Sequence, residues 1–177
     1  MANNSTNIHN LSHRIEVLKL KLIISIIAYR RINGNLEFLI QKRKNTGRSD
    51  WFGLWEFPQG KLLDLNIIEA AKFKFNNETN MVLKKLQIFP KIWIDCSLPT
   101  DTTSYLPFIV TSVKNYHAMH FFGIGQGACS DTAHAMNHLW MNLEDLQILI
   151  KESPESICPL NKPAIEAILH SDLAMLR

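Results

Sequence analysis

The pattern of hydrophobic and polar positions in this 177-residue chain predicts a hairpin near its start. Residues 19–30, KLKLIISIIAYR, begin with alternation and become continuously apolar, which is typical of a strand buried on both faces. Asn33-Gly34 follows, and this pair favours a type I′ turn, since both of its positions need positive φ. The partner strand is predicted at residues 36–41, followed by a polar loop at residues 44–50.

A helical pattern begins at Asn66 and extends to about Met81. Asn66 is a suitable N-cap, and Glu69 lies three places later, where it can complete a capping box. The apolar residues share one face at helical spacing, which predicts that this face is buried. This apolar stripe consists of Ile67, Ile68, Ala71, Phe75 and Val82.

The rest of the chain alternates between strand and helix signals. Further strands are predicted at residues 86–95, 106–113 and 116–124, with a mobile loop at 123–135. A helix is predicted from 142 to 151, and a final helix from its cap at Asn161 to near Leu176. Strands flanked by three helices favour a mixed α/β sandwich. Residues 1–14 are predicted to form a flexible arm, and residues 15–177 a single domain.

Composition and charge narrow the classes of function. A hydrophobic fraction of 46% and a charged fraction of 20% are those of an ordinary globular protein. The net charge of +3 comes without a basic stripe, which argues against nucleic-acid binding by charge alone. The three cysteines are far apart and form no CxxC pair. We therefore expect a reduced, cytoplasmic protein without a membrane span or a secretory leader.

The segment 54–82, LWEFPQGKLLDLNIIEAAKFKFNNETNMV, resembles the Nudix box and the strand leading into it. In that family a Gly is followed by Glu six places on, by Arg-Glu at fourteen and fifteen, by Glu-Glu at eighteen and nineteen, and by Gly at twenty-one. Aligned on Gly60 without a gap, one of the four box glutamates, Glu78, is retained. The aligned places hold Asn66, Lys74, Phe75, Glu78, Thr79 and Met81.

The resemblance implies a Nudix-type α/β/α sandwich with a mixed β-sheet. It also implies cleavage of a pyrophosphate linkage in nucleoside diphosphates joined to another moiety, with Mg²⁺ or Mn²⁺ as cofactor. By this resemblance Glu78 is the catalytic residue and a metal ligand. Glu56 and the main-chain carbonyls of Gln59 and Gly60 are the other expected ligands. Asp64 could also swing inward from the loop before the helix.

The resemblance also implies a set of substrate contacts. Arg43 and Lys61 occupy places that contact phosphates in family members, and Trp51 or Phe52 would flank a base. The expected partner is a nucleotide-type small molecule, and a homodimer is left open.

The missing glutamates predict that hydrolysis is weak or lost. Glu69 lies on the opposite side of the helix from Glu78 and does not replace them. Phe75 is predicted to be a core residue in a place once held by a charged group. The alternative to a hydrolase is a catalytically inactive module that binds a nucleotide or a protein, and a domain without any ligand is the third reading.

Two weaker patterns have ordinary structural explanations. His117 and His120 would point to opposite faces of a strand, whereas His134 and His138 would share a face only on a helix. Surface or hydrogen-bonded roles are expected for all four. The glycine-rich stretch 123–127 lacks the context of a phosphate-binding loop, so a flexible loop near the cleft is expected there.

Overall fold

The computed structural model describes residues 21–45, 51–62, 66–89, 92–95 and 109–171. The predicted arm at residues 1–14, the loop residue Asp64 and the predicted end of the last helix near Leu176 lie outside these ranges.

The described residues form a mixed α/β structure around one nine-stranded sheet. The strands are β1 Lys21–Ile32, β2 Asn35–Arg43, β3 Trp55–Glu56, β4 Gln59–Lys61, β5 Val82–Phe89, β6 Ile92–Asp95, β7 Ile109–Val113, β8 Tyr116–Gln126 and β9 Ala135–Asn142. The main path of the sheet runs in the order β3-β2-β1-β8-β5-β6; off this path β4 pairs with β1, β7 with β8 and β9 with β2. β1 runs parallel to β8, and the other paired strands are antiparallel.

The predicted hairpin is confirmed. Strands β1 and β2 pair antiparallel on either side of Asn33 and Gly34, whose φ angles are 51° and 83°. These values fit the positive φ that a type I′ turn requires. Residues 23–29 of β1 are buried without interruption, as expected for a strand covered on both faces.

The first described helix, α1, spans Ile67–Thr79 and is shorter than its apolar pattern indicated. The Asn66 side chain caps it by accepting from the backbone N–H of Glu69 at 3.2 Å. The helix ends because Asn80 adopts a left-handed conformation with φ 60°. Val82 is therefore not part of the buried stripe; it lies in β5 and is 53% exposed.

The two C-terminal helices are α2, Leu143–Glu152, and α3, Lys162–Leu169. Asn142 caps α2 by accepting from the N–H of Asp145 at 2.9 Å. Asn161 lies at the N-cap position of α3, as predicted, but its side chain makes no capping hydrogen bond there. The amide of Asn161 is instead buried and faces Gln59.

Two strand predictions need correction. The segment predicted as one strand, 86–95, contains two antiparallel strands, β5 and β6, and β5 already begins at Val82. The predicted mobile loop 123–135 is shorter, because β8 continues through Gln126. Strand β9 was not predicted; it pairs antiparallel with β2 along most of that strand's length.

Side-chain alternation in β1 and β8 divides the core between the two faces of the sheet. Residues 24, 26 and 28 face α1 and form one apolar cluster with Phe75 and Phe121. Residues 27 and 29 face the opposite way and pack with Phe122 and the inner sides of α2 and α3. The arrangement is an α/β/α sandwich. Among the described residues, no helix is long and apolar enough to cross a membrane.

Candidate functional site

Two buried carboxylates lie on either side of Gln41, which links the last turn of α1 to β2. Glu56, at the end of β3, is 2% exposed, and Glu78, in the last turn of α1, is 8% exposed. Gln41 of β2 is the register partner of Glu56, so the strand pairing brings its amide to the same place. Charged carboxylates this deeply buried require internal partners.

Glu56 is held by two side chains. Arg43 donates from both Nη2, at 2.8 Å, and Nε, at 2.9 Å, to Oε2 of Glu56. Gln59 donates from Nε2 to the same oxygen at 2.8 Å. Burial raises the pKa of Glu56 above its ordinary value, and the Arg43 guanidinium opposes that shift.

Glu78 is bound by the amide of Gln41, whose Nε2 donates to Oε2 at 2.9 Å. The same amide also interacts with Glu56, since its hydrogen bond lowers the pKa of that carboxyl. One neutral NH₂ group therefore lies between two acidic side chains. Burial, with the nearby charge of Glu56, raises the pKa of Glu78 to about 7.

Gly60 and Lys74 fit closely against each other beside this pair. A Cβ at Gly60 would lie 2.6 Å from Cδ of Lys74, so a larger residue there would require the flexible lysine side chain to shift. Lys74 lowers the pKa of Glu78, although burial outweighs this effect.

The expected carbonyl ligands point in different directions. Ile26 and Pro58 form a hydrogen-bonded pair between the strands, because the Ile26 N–H donates to Pro58 O at 2.8 Å. Along an antiparallel ladder, every second pair of opposite residues is hydrogen-bonded in this way. The register Ile24↔Gly60 is therefore another hydrogen-bonded pair, which directs the Gly60 carbonyl toward β1. The Gln59 carbonyl points away from β1.

The expected substrate contacts do not form one cluster. Arg43 is bound to Glu56 and lies 5.9 Å from the Trp51 ring centroid. Trp51 is half-buried and packs on Tyr116 with a centroid distance of 4.9 Å. Lys61 and Phe52 are exposed, Phe52 by 54%. Base and phosphate contacts by these residues remain predictions.

The C-terminal segment contributes contacts that were not predicted from the sequence. Gln59, which holds Glu56, also donates to Sγ of Cys158 at 3.6 Å and accepts from Nδ2 of Asn161 at 3.3 Å. The backbone N–H of Cys158 donates to Trp55 O at 2.9 Å, which ties this segment to β3. No spacing rule links residues about a hundred places apart, so the sequence carried no signal for these contacts.

His138 is the second unpredicted contact of the site. Its Nε2 lies 2.8 Å from the backbone oxygen of Glu78, so the ring donates to the C-terminal turn of α1. His134 is exposed and His138 lies in β9, so these two do not share a helical face. His120 and His117 make hydrogen bonds with Thr111 and Ser112, as expected for histidines without a metal.

The donor set does not fit the divalent ion that the resemblance implies. Mg²⁺ takes oxygen ligands in near-octahedral geometry, and Oε2 of both Glu56 and Glu78 already accepts from protein donors. The Arg43 guanidinium places a positive charge against Glu56, which opposes a cation there. In the part of the chain that the structure describes, no three His, Cys, Asp or Glu side chains are grouped to hold a metal.

Comparison with solved structures shows the fold. The chain is similar to a MutT protein studied from Aliivibrio salmonicida and Vibrio cholerae, at 15% identity and a TM-score of 0.54, covering 87% of this chain and 99% of that one. It is also similar to a C. elegans Ap4A hydrolase, at 17% identity and a TM-score of 0.50, covering 84% of this chain and 98% of that one. The Nudix domain of Shewanella oneidensis NrtR, in complex with ADP ribose, is 13% identical, with a TM-score of 0.50 and coverage of 83% and 84%.

At these identities the likeness concerns the fold, and the chain has the Nudix fold. No family model matches the chain, and no curated protein matches it in sequence.

Proposed function

We propose that the protein binds a nucleoside diphosphate linked to a second group, and that it hydrolyses the pyrophosphate bond weakly or not at all. One observation carries the second half of this proposal: Oε2 of Glu56 accepts from Arg43 and Gln59, and Oε2 of Glu78 accepts from Gln41, so one oxygen of each carboxylate is already bound inside the protein. Pyrophosphate cleavage at such a site needs a cation to neutralise the phosphates and to activate water. Carboxylates already bound to internal donors are poor ligands for that cation.

Binding is supported by the charges around the two carboxylates and by the fold. Lys42 lies between Gln41 and Arg43 on β2, Lys44 follows the end of that strand, and exposed Lys61 ends β4, so three lysines lie in the segments that carry the partners of the two carboxylates. Lysine side chains attract phosphate groups. Exposed Phe52 offers an aromatic face to a base. Similar folds are known in complex with ADP ribose and as an Ap4A hydrolase.

The test is calorimetric titration of the full chain with ADP-ribose and with Ap4A, in Mg²⁺, in Mn²⁺ and in EDTA, followed by chromatography for cleavage products. The expected result is saturable binding of at least one nucleotide that persists in EDTA, with no product above the rate without protein. Lys61→Ala should weaken binding, whereas Lys151→Ala, an exposed lysine on α2, should not.

Two results would overturn the proposal in different ways. Turnover that requires metal and disappears in Glu78→Gln would make the protein a hydrolase. Failure to bind any nucleotide, with or without metal, would leave a fold that serves protein interaction.

A further inference from the structure

Three polar side chains lie side by side on the sheet face opposite α1. Gln59 of β4 is the register partner of Ser25 in β1, and Ser25 is the register partner of His120 in β8. Register partners on adjacent strands point to the same face. The C-terminal segment 158–161 covers this polar row, since Gln59 donates to Sγ of Cys158 at 3.6 Å. All three side chains of the row are buried.

The hydrogen bonds of His120 fix which ring nitrogen carries the proton. Thr111 donates its hydroxyl proton to Leu160 O at 2.6 Å, so its Oγ1 acts as an acceptor toward the ring. Nε2 of His120, 2.8 Å away, is therefore the donor. Nδ1 is left as an acceptor, and it has no hydrogen-bond partner within the described chain. Burial lowers the pKa of His120 to about 4, which is consistent with a neutral ring.

Two more buried polar atoms, one in the row and one on a side chain bonded to Gln59, also have no protein partner among the described residues. They are Oγ of Ser25 and Oδ1 of Asn161. Asn161 reaches this place because its Nδ2 donates to Oε1 of Gln59 at 3.3 Å. Both side chains are 0% exposed. A buried polar group without a hydrogen bond destabilises the folded state, so three together would be expensive to leave unbonded.

We propose that one buried water molecule joins Ser25, His120 and Asn161. Its two hydrogens are donated to Nδ1 of His120 and Oδ1 of Asn161, and its oxygen accepts from the Ser25 hydroxyl. Two protein acceptors and one protein donor match what a single water offers, and about three hydrogen bonds are typical of buried waters. The water then connects the C-terminal segment with β1 and β8, on the opposite side of Gln59 from Glu56.

A direct hydrogen bond from Ser25 to His120 is the competing arrangement. Adjacent strands lie about 4.8 Å apart, so a change of the Ser25 rotamer could bring Oγ to Nδ1. That bond would satisfy two of the three atoms and leave Oδ1 of Asn161 unbonded. The two arrangements differ in what happens to Nδ1 of His120 when the serine hydroxyl is removed.

The first test is ¹⁵N NMR of the His120 ring in the wild-type protein and in Ser25→Ala. We expect protonated Nε2 and unprotonated, hydrogen-bonded Nδ1 in both, because the water still donates when alanine leaves its space open. A shift of Nδ1 to the value of an unbonded ring nitrogen in Ser25→Ala would show the direct bond instead. A wild-type Nδ1 that is protonated, or unbonded, would also refute the water.

The second test counts long-lived internal waters by ¹⁷O magnetic relaxation dispersion. Ser25→Val fills the space beside the strand with methyl groups, and we expect the count to fall by one relative to wild type. Ile27→Val, two residues along the same face of β1, is the matched control and should leave the count unchanged. An unchanged count in Ser25→Val would overturn the proposal. If Ser25→Val does not fold, the wild-type and Ser25→Ala spectra decide alone.

Discussion

At the residue scale, the ring of Phe75 packs closely against Gly125, so the type of each residue depends on the other. Phe75 stands where the resemblance places a glutamate, and its ring is fully buried in the apolar cluster on the α1 side of the sheet. A Cβ at Gly125 of β8 would lie 2.7 Å from Cζ of Phe75 and 2.9 Å from Cε of Met81. The glycine-rich stretch in β8 thus accommodates a core ring, and the sequence prediction that Phe75 is core is confirmed.

This contact predicts a non-additive pair of substitutions. Gly125→Ala should destabilise the protein by about 1 to 3 kcal/mol, because the methyl group overpacks the Phe75 ring. Phe75→Leu relieves that overlap, so the double variant should be more stable than the sum of the single effects, by at least ~0.5 kcal/mol. Denaturant unfolding of the four proteins measures this coupling.

Leu146, buried on the other side of the sheet, provides the control for that cycle. Gly125→Ala and Leu146→Ala share no partner, so their effects should add. Full additivity of Gly125→Ala with Phe75→Leu would show that the ring does not require the glycine.

A second prediction at this scale concerns Glu78 and pH. Its pKa is raised from 4.5 to about 7, so the folded state binds a proton more tightly than the unfolded state. The stability that this group contributes is therefore complete below about pH 4.5 and is lost as pH rises to about 7. Glu78→Gln removes this dependence. The variant should gain on the order of 3 kcal/mol relative to wild type between pH 4.5 and pH 8, at 1.36 kcal/mol per pKa unit.

Unfolding free energies of the two proteins at pH 4.5 and pH 8 test this directly. The raised pKa of Glu56 adds a dependence of the same sign, but both proteins contain Glu56, so the comparison isolates Glu78 to first order. A difference between variant and wild type that does not change with pH would contradict the buried, proton-binding state of Glu78.

The sequence predicted which residues lie around the two buried carboxylates, but not which side chains hydrogen-bond to one another there. Glu56, Glu78 and Arg43 were identified by their places around the box, and the structure brings all three together. Gln41 was not identified, because an uncharged residue in a buried strand has no motif. Its position between the two carboxylates depends on the register of β2 with β3, which only the folded sheet fixes.

At the element scale, hydrogen bonds fix the segment between β8 and β9, which the sequence predicted to be a mobile loop. Ser130 N–H donates to Thr79 O at 3.1 Å, and Asn80 Nδ2 donates to Oγ of Ser130 at 2.8 Å, so this segment closes the end of α1. Lys44 donates to Thr132 O at 2.6 Å from the end of β2. The loop is thereby hydrogen-bonded both to the C-terminal end of α1 and to the end of β2.

Thr132 is the residue whose loss should loosen this segment. Its Oγ1 accepts from the backbone N–H groups of His134 and Ala135, each at 3.1 Å. Thr132→Val keeps the shape and removes both bonds, so the amides of His134 and Ala135 should exchange with solvent faster, at a cost of about 1 kcal/mol in local stability. Hydrogen exchange by NMR measures this, with the amides of α2 as the internal reference. Equal exchange in variant and wild type would mean that the hydroxyl does not hold the loop.

The errors at element boundaries have physical causes in particular residues. Val82 fits both a helical stripe and a strand, and the left-handed conformation of Asn80 decides between them. Asn137 adopts φ 53° within β9, and the pairing of β9 with β2 shifts register there, which breaks the alternation that would have revealed the strand. Asn161 occupies the N-cap position that its residue type predicts, but its amide donates to Gln59 instead of capping α3.

At the scale of the whole molecule, the apolar pattern and the resemblance together predicted the architecture. The pattern of strands and helices predicted a mixed α/β sandwich, the resemblance implied its α/β/α form, and the structure has that arrangement with the Nudix fold. Hydrogen bonds between polar side chains far apart in the sequence could not be predicted in the same way, because they depend on how the C-terminal segment crosses the sheet. The fold was therefore more predictable than the chemistry of its centre.

Arg43, Gln41 and Gln59 donate to Oε2 of Glu56 or Glu78, and we propose that these hydrogen bonds make the carboxylate pair a poor site for a divalent ion. The most direct measurement is titration of Mn²⁺ into the full chain, followed by the electron paramagnetic resonance signal of free Mn²⁺. If the carboxylate pair binds no Mn²⁺, the signal should equal the Mn²⁺ added and should be the same in wild type and in Glu78→Gln. Loss of signal at stoichiometric Mn²⁺ in the wild type, restored in Glu78→Gln, would contradict it.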